Sequence, residues 1–499
     1  MESIIKQMHK FFDPQSVAVV GASRKTMKAG HVIFKNFAQN KRRGIFKGEL
    51  YPINPHEESI LAFKCYPSIT EIIGDVELVV IVVPAKIVPK IMNEATTKGV
   101  KAVVIISAGF SEIGNHKLEQ EVIDIAKKAG IRVLGPNCLG VYGSHRGVDM
   151  LFLPETKILT TGDEVVATPR PIAGHIAVVT QSGAFGAAAL DHLAGRQLGV
   201  SKFVSFGNKC DVEESEMLSY LLYDEKTRVI LLYAESIEEG RKFMEVAGEV
   251  TKKKPVVALK SGRTKAGARA AMSHTGAIAG SDRIYDTVFK QVGVMRVNDM
   301  EEFFDVGKAM AFQPPAAGNN VAVITDAGGP AIMVVDECEL RGINVKEFSD
   351  ETVQKFEKLK KKGEIPSFAT NMNLLDLTGS ATSSMFEKST KILLEDPKIH
   401  GIIAVGLHHV PALQEDFVDR IANLSKNYSK PMVACDIGET EMALYIRSRF
   451  DKLGVPAYPS PEDAARAMVA LVKYGQYLKK NGSFEQYLEM FQKNKADIA

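Results

Sequence analysis

At 499 residues, with 45% apolar and 24% charged side chains, the chain is long enough for two to four compact units, and its composition excludes disordered and fibrous classes. Its 62 basic and 60 acidic residues leave a formal charge of +2, so no global field recruits nucleic acid or an anionic membrane, and any anion site has to be local. Cys65, Cys138, Cys210, Cys338 and Cys435 form no C-x-x-C pair, which argues against a disulfide framework or a structural zinc and suits a reducing cytoplasm. The opening MESIIKQMHKFF lacks the apolar core of a signal peptide, and no apolar run nears the ~20 residues that span a bilayer. A cytoplasmic protein with neither nucleic-acid nor membrane partners is expected.

In the first 140 residues the apolar, β-branched runs SVAVVGAS, ELVVIVVP, KAVVIISAG and IRVLGPN each end in Gly, Ser, Asn or Pro, as buried parallel strands do. Lys86 to Gly99 and Lys117 to Gly130 have helical spacing closed by glycine, which completes a β-α-β alternation with right-handed crossovers. A Rossmann-like unit is predicted over 1–143. Gly21, Ala22 and Ser23 directly follow its first strand, where a helix amino terminus binds phosphate. The G-x-G-x-x-G fingerprint is absent, which disfavours NAD. Arg24, Lys25 and Lys28 add positive charge there, which suits a ligand with a diphosphate and a further phosphate, and equally suits a solvated basic loop.

A Gly- and Pro-containing stretch around 144–174 interrupts this rhythm before HIAVVTQSG, RVILLYAES and KPVVALKSG begin a second series, predicted as a flavodoxin-like domain over 172–312. QPPAAGNN reads as a linker. NVAVITDAGG, HGIIAVGLHH and KPMVACDIG then build a second flavodoxin-like domain over 319–475, and 476–499 reads as a polar helical tail. The fold class is therefore α/β: one Rossmann-like domain followed by two flavodoxin-like parallel-sheet domains. The two later series share an order of parts, either as structural repeats or because flavodoxin-like units commonly look this way.

The turns after Thr180 and Thr325 repeat the anion-binding pattern: Ser182-Gly183 and Gly328-Gly329 expose backbone N–H groups at the start of helices. Each also suits an ordinary tight turn. Between them, 259–282 is rich in Gly, Ala and Ser without apolar periodicity and reads as a long functional loop. Of eleven histidines, His274 alone falls in it, with Lys260, Arg263, Lys265 and Arg269 upstream, and imidazole is a nucleophile able to carry a phosphoryl group. His192, His408 and His409 fall near element ends and read as structural. No Ser-His-Asp order, Walker A loop or metal-ligand cluster is present in the sequence.

Together VAVVGAS, YPINP, VVIISAGFSEIG, GPNCLG, VTQSGAFG, SFGNKCDVEESEML, SHTGAIAGSD and VITDAGGPA resemble, in order, the NDP-forming acyl-CoA synthetases, the superfamily of succinyl-CoA synthetase and the archaeal ADP-forming acetyl-CoA synthetases. The resemblance implies a relay in which phosphate attacks an acyl thioester and the acyl phosphate passes its phosphoryl group to a histidine, which delivers it to ADP. His274 matches that histidine, and Glu235 the glutamate that orients its imidazole, a position that also suits a surface or capping glutamate. Ser182-Gly183 and Gly328-Gly329 match the two helix ends that hold the phosphohistidine. CoA is implied near Gly21, Ala22, Ser23, Arg24, Lys25, Asn54, Pro84, Ser107 and Ala108. A longer connection at about 150–170 and Asn371-Met372-Asn373, where the family usually has Asn-Pro, depart from the pattern and bear on the acyl pocket. No ATP-grasp domain is readable, so ADP or ATP and magnesium are expected on a separate β subunit, in a heterotetramer acting on acetate or a related short acid. A CoA-binding regulatory or scaffold protein of the same fold is the alternative.

Overall fold

The β-branched runs of the first 140 residues pair as the sequence predicts, because each is apolar and the first three are followed by helices long enough to cross back. In the computed structural model, which describes residues 2–275 and 281–495, β1 (Ser16–Val20), β2 (Glu49–Ile53), β3 (Leu78–Ile81), β4 (Ala102–Ile105) and β5 (Arg132–Leu134) form a parallel sheet ordered β2-β1-β3-β4-β5. Helix α1 (Ala29–Arg42) follows β1. The predicted crossover helices run over Val88–Lys98 and His116–Ala129, each stopped by a left-handed glycine, Gly99 and Gly130.

The second sheet begins earlier than predicted. Its strands are β6 (Val141–Gly143), β7 (Val148–Asp149), β8 (Ala173–Thr180), β9 (Val200–Ser205), β10 (Val229–Ala234), β11 (Val256–Lys260) and β12 (Met295–Val297), ordered β12-β11-β10-β8-β9-β6-β7. β6 pairs antiparallel with β9, so residues assigned from sequence to the end of the first domain belong to the edge of the second sheet. Pairing between partners some sixty residues apart leaves no local trace in the sequence. Helix α2 (Gly183–Gly195) follows β8, and α3 (Lys265–Thr275) follows β11. Residues 1–296 form one compact unit, and a single apolar core joins Val17, Leu78 and Val104 of the first sheet to Val179, Val204 and Ile230 of the second.

Residues 297–499 form the other unit. Its sheet contains β13 (Val321–Thr325), β14 (Thr370–Asn371), β15 (Leu375–Asp376), β16 (Gly401–Val405), β17 (Met432–Cys435) and β18 (Ala457–Tyr458), ordered β14-β15-β13-β16-β17-β18. All its pairings are parallel except β14 with β15. Helix α4 (Gly328–Leu340) follows β13. Residues 476–480 continue the buried helix Pro461–Lys480, and Phe484–Lys495 forms a last helix. The series β12-β11-β10-β8-β9 and β18-β17-β16-β13-β15 have the same strand order. The shared order of parts in the sequence therefore corresponds to a shared topology.

Candidate active site

At the carboxyl end of β1 the chain turns through Gly21 at φ +92°, where a Cβ would lie 2.2 Å from the Val82 carbonyl oxygen. A Cβ on Gly30 would likewise meet the Gly21 carbonyl oxygen at 2.0 Å, so two glycines let the start of α1 pack directly on this turn. Ala22 is buried, and its carbonyl accepts a hydrogen bond from Asn54 Nδ2 at 2.8 Å. Ser23 Oγ accepts the Lys25 N–H at 3.1 Å. Arg24 and Lys25 are exposed, and Arg24 lies 3.6 Å from Glu57. The turn is thus rigid in its backbone and cationic at its surface.

The remaining predicted CoA residues line a cavity of about 740 Å³ in the first unit, where Pro84, Ser107 and Ala108 meet Asn137, Ser182 and Gly183. The Ser107 hydroxyl closes the turn after β3, accepting the Val83 N–H at 3.1 Å and donating to the Val83 carbonyl at 2.5 Å. Ser182 caps α2, its side chain accepting the Phe185 N–H at 3.2 Å. The Thr180 hydroxyl clasps the same turn, accepting the Ser182 N–H at 3.1 Å and donating to the Ser182 carbonyl at 2.9 Å. The remaining N–H groups at the start of α2 carry the positive end of the helix dipole. Gly21 to Lys25 and Asn54 lie along the same sheet edge but do not line this cavity.

Gln181 ties this turn to the end of β10. Its side-chain oxygen accepts the N–H groups of Glu235 and Ser236, the latter at 2.9 Å, and its Nε2 donates to the Ser236 carbonyl at 2.7 Å and to Glu214 at 2.5 Å. Lys209 Nζ reaches Glu214 at 3.0 Å and the Ser236 carbonyl at 3.1 Å. Burial pushes the Glu214 carboxyl up and Lys209 pulls it back. Glu235 is itself buried, with its backbone fixed by Gln181. Nearby, burial pushes the Lys260 ammonium down, with Arg296 adding to the fall and the charges of Asp282 and Glu235 opposing it, and the ammonium sits 4.5 Å from the Tyr285 ring centroid. Gln181, Lys209 and Glu214 were not singled out from sequence, although all three fall within the stretches VTQSGAFG and SFGNKCDVEESEML.

The predicted long loop at 259–282 is corrected: it contains α3. Thr264 accepts the Gly267 N–H at 3.0 Å as a helix cap, and Ala266, Ala268, Ala270 and Ala271 then supply high helix propensity without an apolar stripe. Such a helix leaves no apolar periodicity in the sequence. His274 falls in the last turn of α3, and its side chain lies outside the described residues, as do residues 276–280.

The second unit repeats the clasp. The Thr325 hydroxyl accepts the Ala327 N–H at 2.8 Å and donates to the Ala327 carbonyl at 3.0 Å, ahead of Gly328 and Gly329 at the start of α4. Asp326 stands where Gln181 stands in the first unit, both its oxygens lying 3.1 Å from the Leu407 N–H after β16. A Cβ on Gly328 would meet Asp376 Oδ2 at 2.7 Å, so this helix end already faces a carboxylate. His408, read as structural, bonds Asp436 through Nδ1 at 2.8 Å. Burial pushes the Asp326 carboxyl up to about 7, with Asp436 and Asp376 adding to the rise and the Leu407 N–H opposing it.

A raised folded pKa contributes stability that is present below the unfolded value near ~4 and is lost as pH climbs through about 7. Asp326→Asn, which mimics the neutral form, is therefore expected to gain on the wild type between pH 4 and 8, by something on the order of 2 to 4 kcal/mol. Urea unfolding at several pH values checks this; a difference independent of pH would assign Asp326 an ordinary titration.

Among the described residues no group of three or more His, Cys, Asp or Glu side chains is arranged to hold a metal ion, and no helix is long and apolar enough to cross a membrane. Three family models match the chain: a CoA binding domain over 15–144, a succinyl-CoA ligase like flavodoxin domain over 173–310, and a ligase-CoA domain over 321–479. The chain is 37% identical to the α subunit of acetate–CoA ligase (ADP-forming) II of Pyrococcus furiosus, over 93% of this chain and 97% of the relative. It is 35% identical to 4-hydroxybutyrate–CoA ligase (ADP-forming) of Nitrosopumilus maritimus, over 94% of this chain and 64% of that protein. Among solved structures, acetyl-coenzyme A synthetase 1 of Ca. Korarchaeum cryptofilum, in complex with phosphate and ADP, superposes with a TM-score of 0.86 at 33% identity, covering 95% of this chain and 98% of that one.

Proposed function

The chain belongs to the family of ADP-forming acyl-CoA ligases, and from that premise we propose that it is the CoA-binding, phosphohistidine-carrying α subunit of an enzyme interconverting acyl-CoA, ADP and phosphate with an acid, CoA and ATP. The observation that carries the reading is the cavity shared by Pro84, Ser107 and Ala108 with Ser182 and Gly183, because it brings a CoA-type sheet edge against a helix amino terminus. The basic turn at Arg24 and Lys25 takes the phosphates of CoA, and the thioester enters the cavity. Phosphate held by the N–H groups at the start of α2 attacks the thioester carbonyl; the C–S bond breaks, the thiolate takes a proton, and an acyl phosphate forms. His274 then attacks the phosphorus, the carboxylate leaves as the free acid, and the phosphoryl group passes to ADP on an ATP-grasp β subunit that also holds magnesium. Glu235 orients the imidazole and stabilises its positive charge. The turn at Gly328-Gly329 offers a second anion seat of the same construction, with Asp376 beside it. We place the enzyme in the cytoplasm, as a heterotetramer acting on acetate or a related short acid.

The chain alone is expected to bind CoA in calorimetry, to do so more weakly as Arg24→Ala, and to release no ADP from ATP with any acid. Coexpression with an ATP-grasp chain is expected to restore acid- and CoA-dependent ADP release. CoA-dependent turnover by the single chain would move the nucleotide site onto it, and NADH binding in place of CoA would reverse the assignment.

A further inference from the structure

The connection between β7 and β8, longer than the family pattern, carries an antiparallel hairpin, Thr156–Ile158 with Glu164–Val166, whose residues are exposed. Its base is built differently. The Arg170 guanidinium donates from Nε to Asp149 Oδ2 at 2.7 Å, from Nη1 to the Thr168 carbonyl at 2.8 Å and from Nη2 to the Leu153 carbonyl at 3.0 Å. Asp149 Oδ1 accepts the Leu151 N–H at 3.1 Å, and the side chains of Arg170 and Asp149 are only 12% and 6% exposed. One buried ion pair therefore fastens the departing and returning ends of the connection and fixes the backbone of 151–153 between them. A pair so buried is weak as a source of stability, because desolvation offsets most of its attraction, and it is better suited to holding a geometry.

The geometry it holds is a wall of the cavity. Phe152 and Leu153 line it, together with Leu139, whose Cβ lies 3.7 Å from where a side chain on Gly183 would begin. Lys209 is the one Lys or Arg among the described lining residues, and its ammonium is already bonded to Glu214 and to the Ser236 carbonyl. The apolar wall thus stands beside the helix end at which the acyl carbonyl would react.

Resting on the ligase reading above, we propose that Phe152 and Leu153 are specificity-determining residues that limit the size of the acyl group, and that the Asp149–Arg170 pair is the positioning device that fixes them. Changing the volume of an apolar subsite by one or two methylenes alters discrimination by about 10- to 200-fold. In the complex with the ATP-grasp subunit, kcat/KM is measured for acetate, 2-methylpropanoate and phenylacetate. Leu153→Ala and Phe152→Leu are expected to raise the ratio of either larger acid to acetate by about 10-fold or more, and Leu153→Phe to lower it. Arg170→Met is expected to shift the ratio in the direction of the truncations, with Arg170→Lys restoring part of the wild-type value. Ratios within twofold of wild type in all three wall variants would overturn the assignment, and equal losses for every acid in Arg170→Met would overturn the positioning role. A wild-type complex that activates no acid overturns the ligase reading itself, whereas an active one with unmoved ratios overturns only the wall.

Discussion

His274→Ala is expected to abolish turnover in both directions, by on the order of 10⁴-fold or more, while the chain still binds CoA. The size of the effect follows from the chemistry: no other group in the proposed relay accepts the phosphoryl from the acyl phosphate, so its removal deletes a covalent step and does not merely weaken a contact. Retained CoA binding follows from the architecture. The candidate CoA residues sit at the carboxyl ends of β1 to β4, whereas His274 belongs to α3, after β11 of the other sheet. Rapid-quench measurement of phosphoenzyme formation, with calorimetry of CoA on the same sample, separates the two effects. Near-normal turnover by His274→Ala would remove the histidine from the mechanism.

Glu235→Gln is expected to slow phosphorylation of the enzyme by about 10² to 10⁴ while leaving CoA affinity in place. Gln181 fixes the Glu235 backbone, and the side chain is buried at the end of β10, so glutamine can keep the shape and hydrogen-bonding reach while losing the charge. A carboxylate on one ring nitrogen sets the tautomer that attacks with the other and stabilises the cation formed as the imidazole takes the phosphoryl group. Pre-steady-state phosphorylation as a function of pH checks this; a variant as fast as wild type would make Glu235 a structural residue.

The strands and their order of appearance were legible because parallel strands are apolar on both faces and end in turn residues, as SVAVVGAS and RVILLYAES do. The turns at Ser182-Gly183 and Gly328-Gly329 were legible for the same reason, each following such a strand. What sequence concealed is of three kinds. The pairing of β6 with β9 depends on contact between distant segments, so the strand Val141–Gly143 carries no local sign of the sheet it joins. Helix α3 rests on a Thr264 cap and alanine propensity, and it has no apolar stripe to distinguish it from a loop in sequence. The roles of Gln181 and Asp326 depend on what their side chains reach across the sheet: each looks like a turn residue in sequence, and only the fold shows it fastening the next strand. His274 was singled out by its neighbours and its chemistry, and the family resemblance gave it a role that residue spacing alone does not supply.

The most direct test of the proposed relay is to incubate the chain, assembled with a candidate ATP-grasp subunit, with acyl-CoA and labelled inorganic phosphate in the absence of ADP, and to map the label. A single acid-labile, base-stable adduct on His274 that discharges when ADP is added is expected. Label on another residue, or acyl-CoA cleavage and ATP formation with no labelled protein at any time, would contradict it.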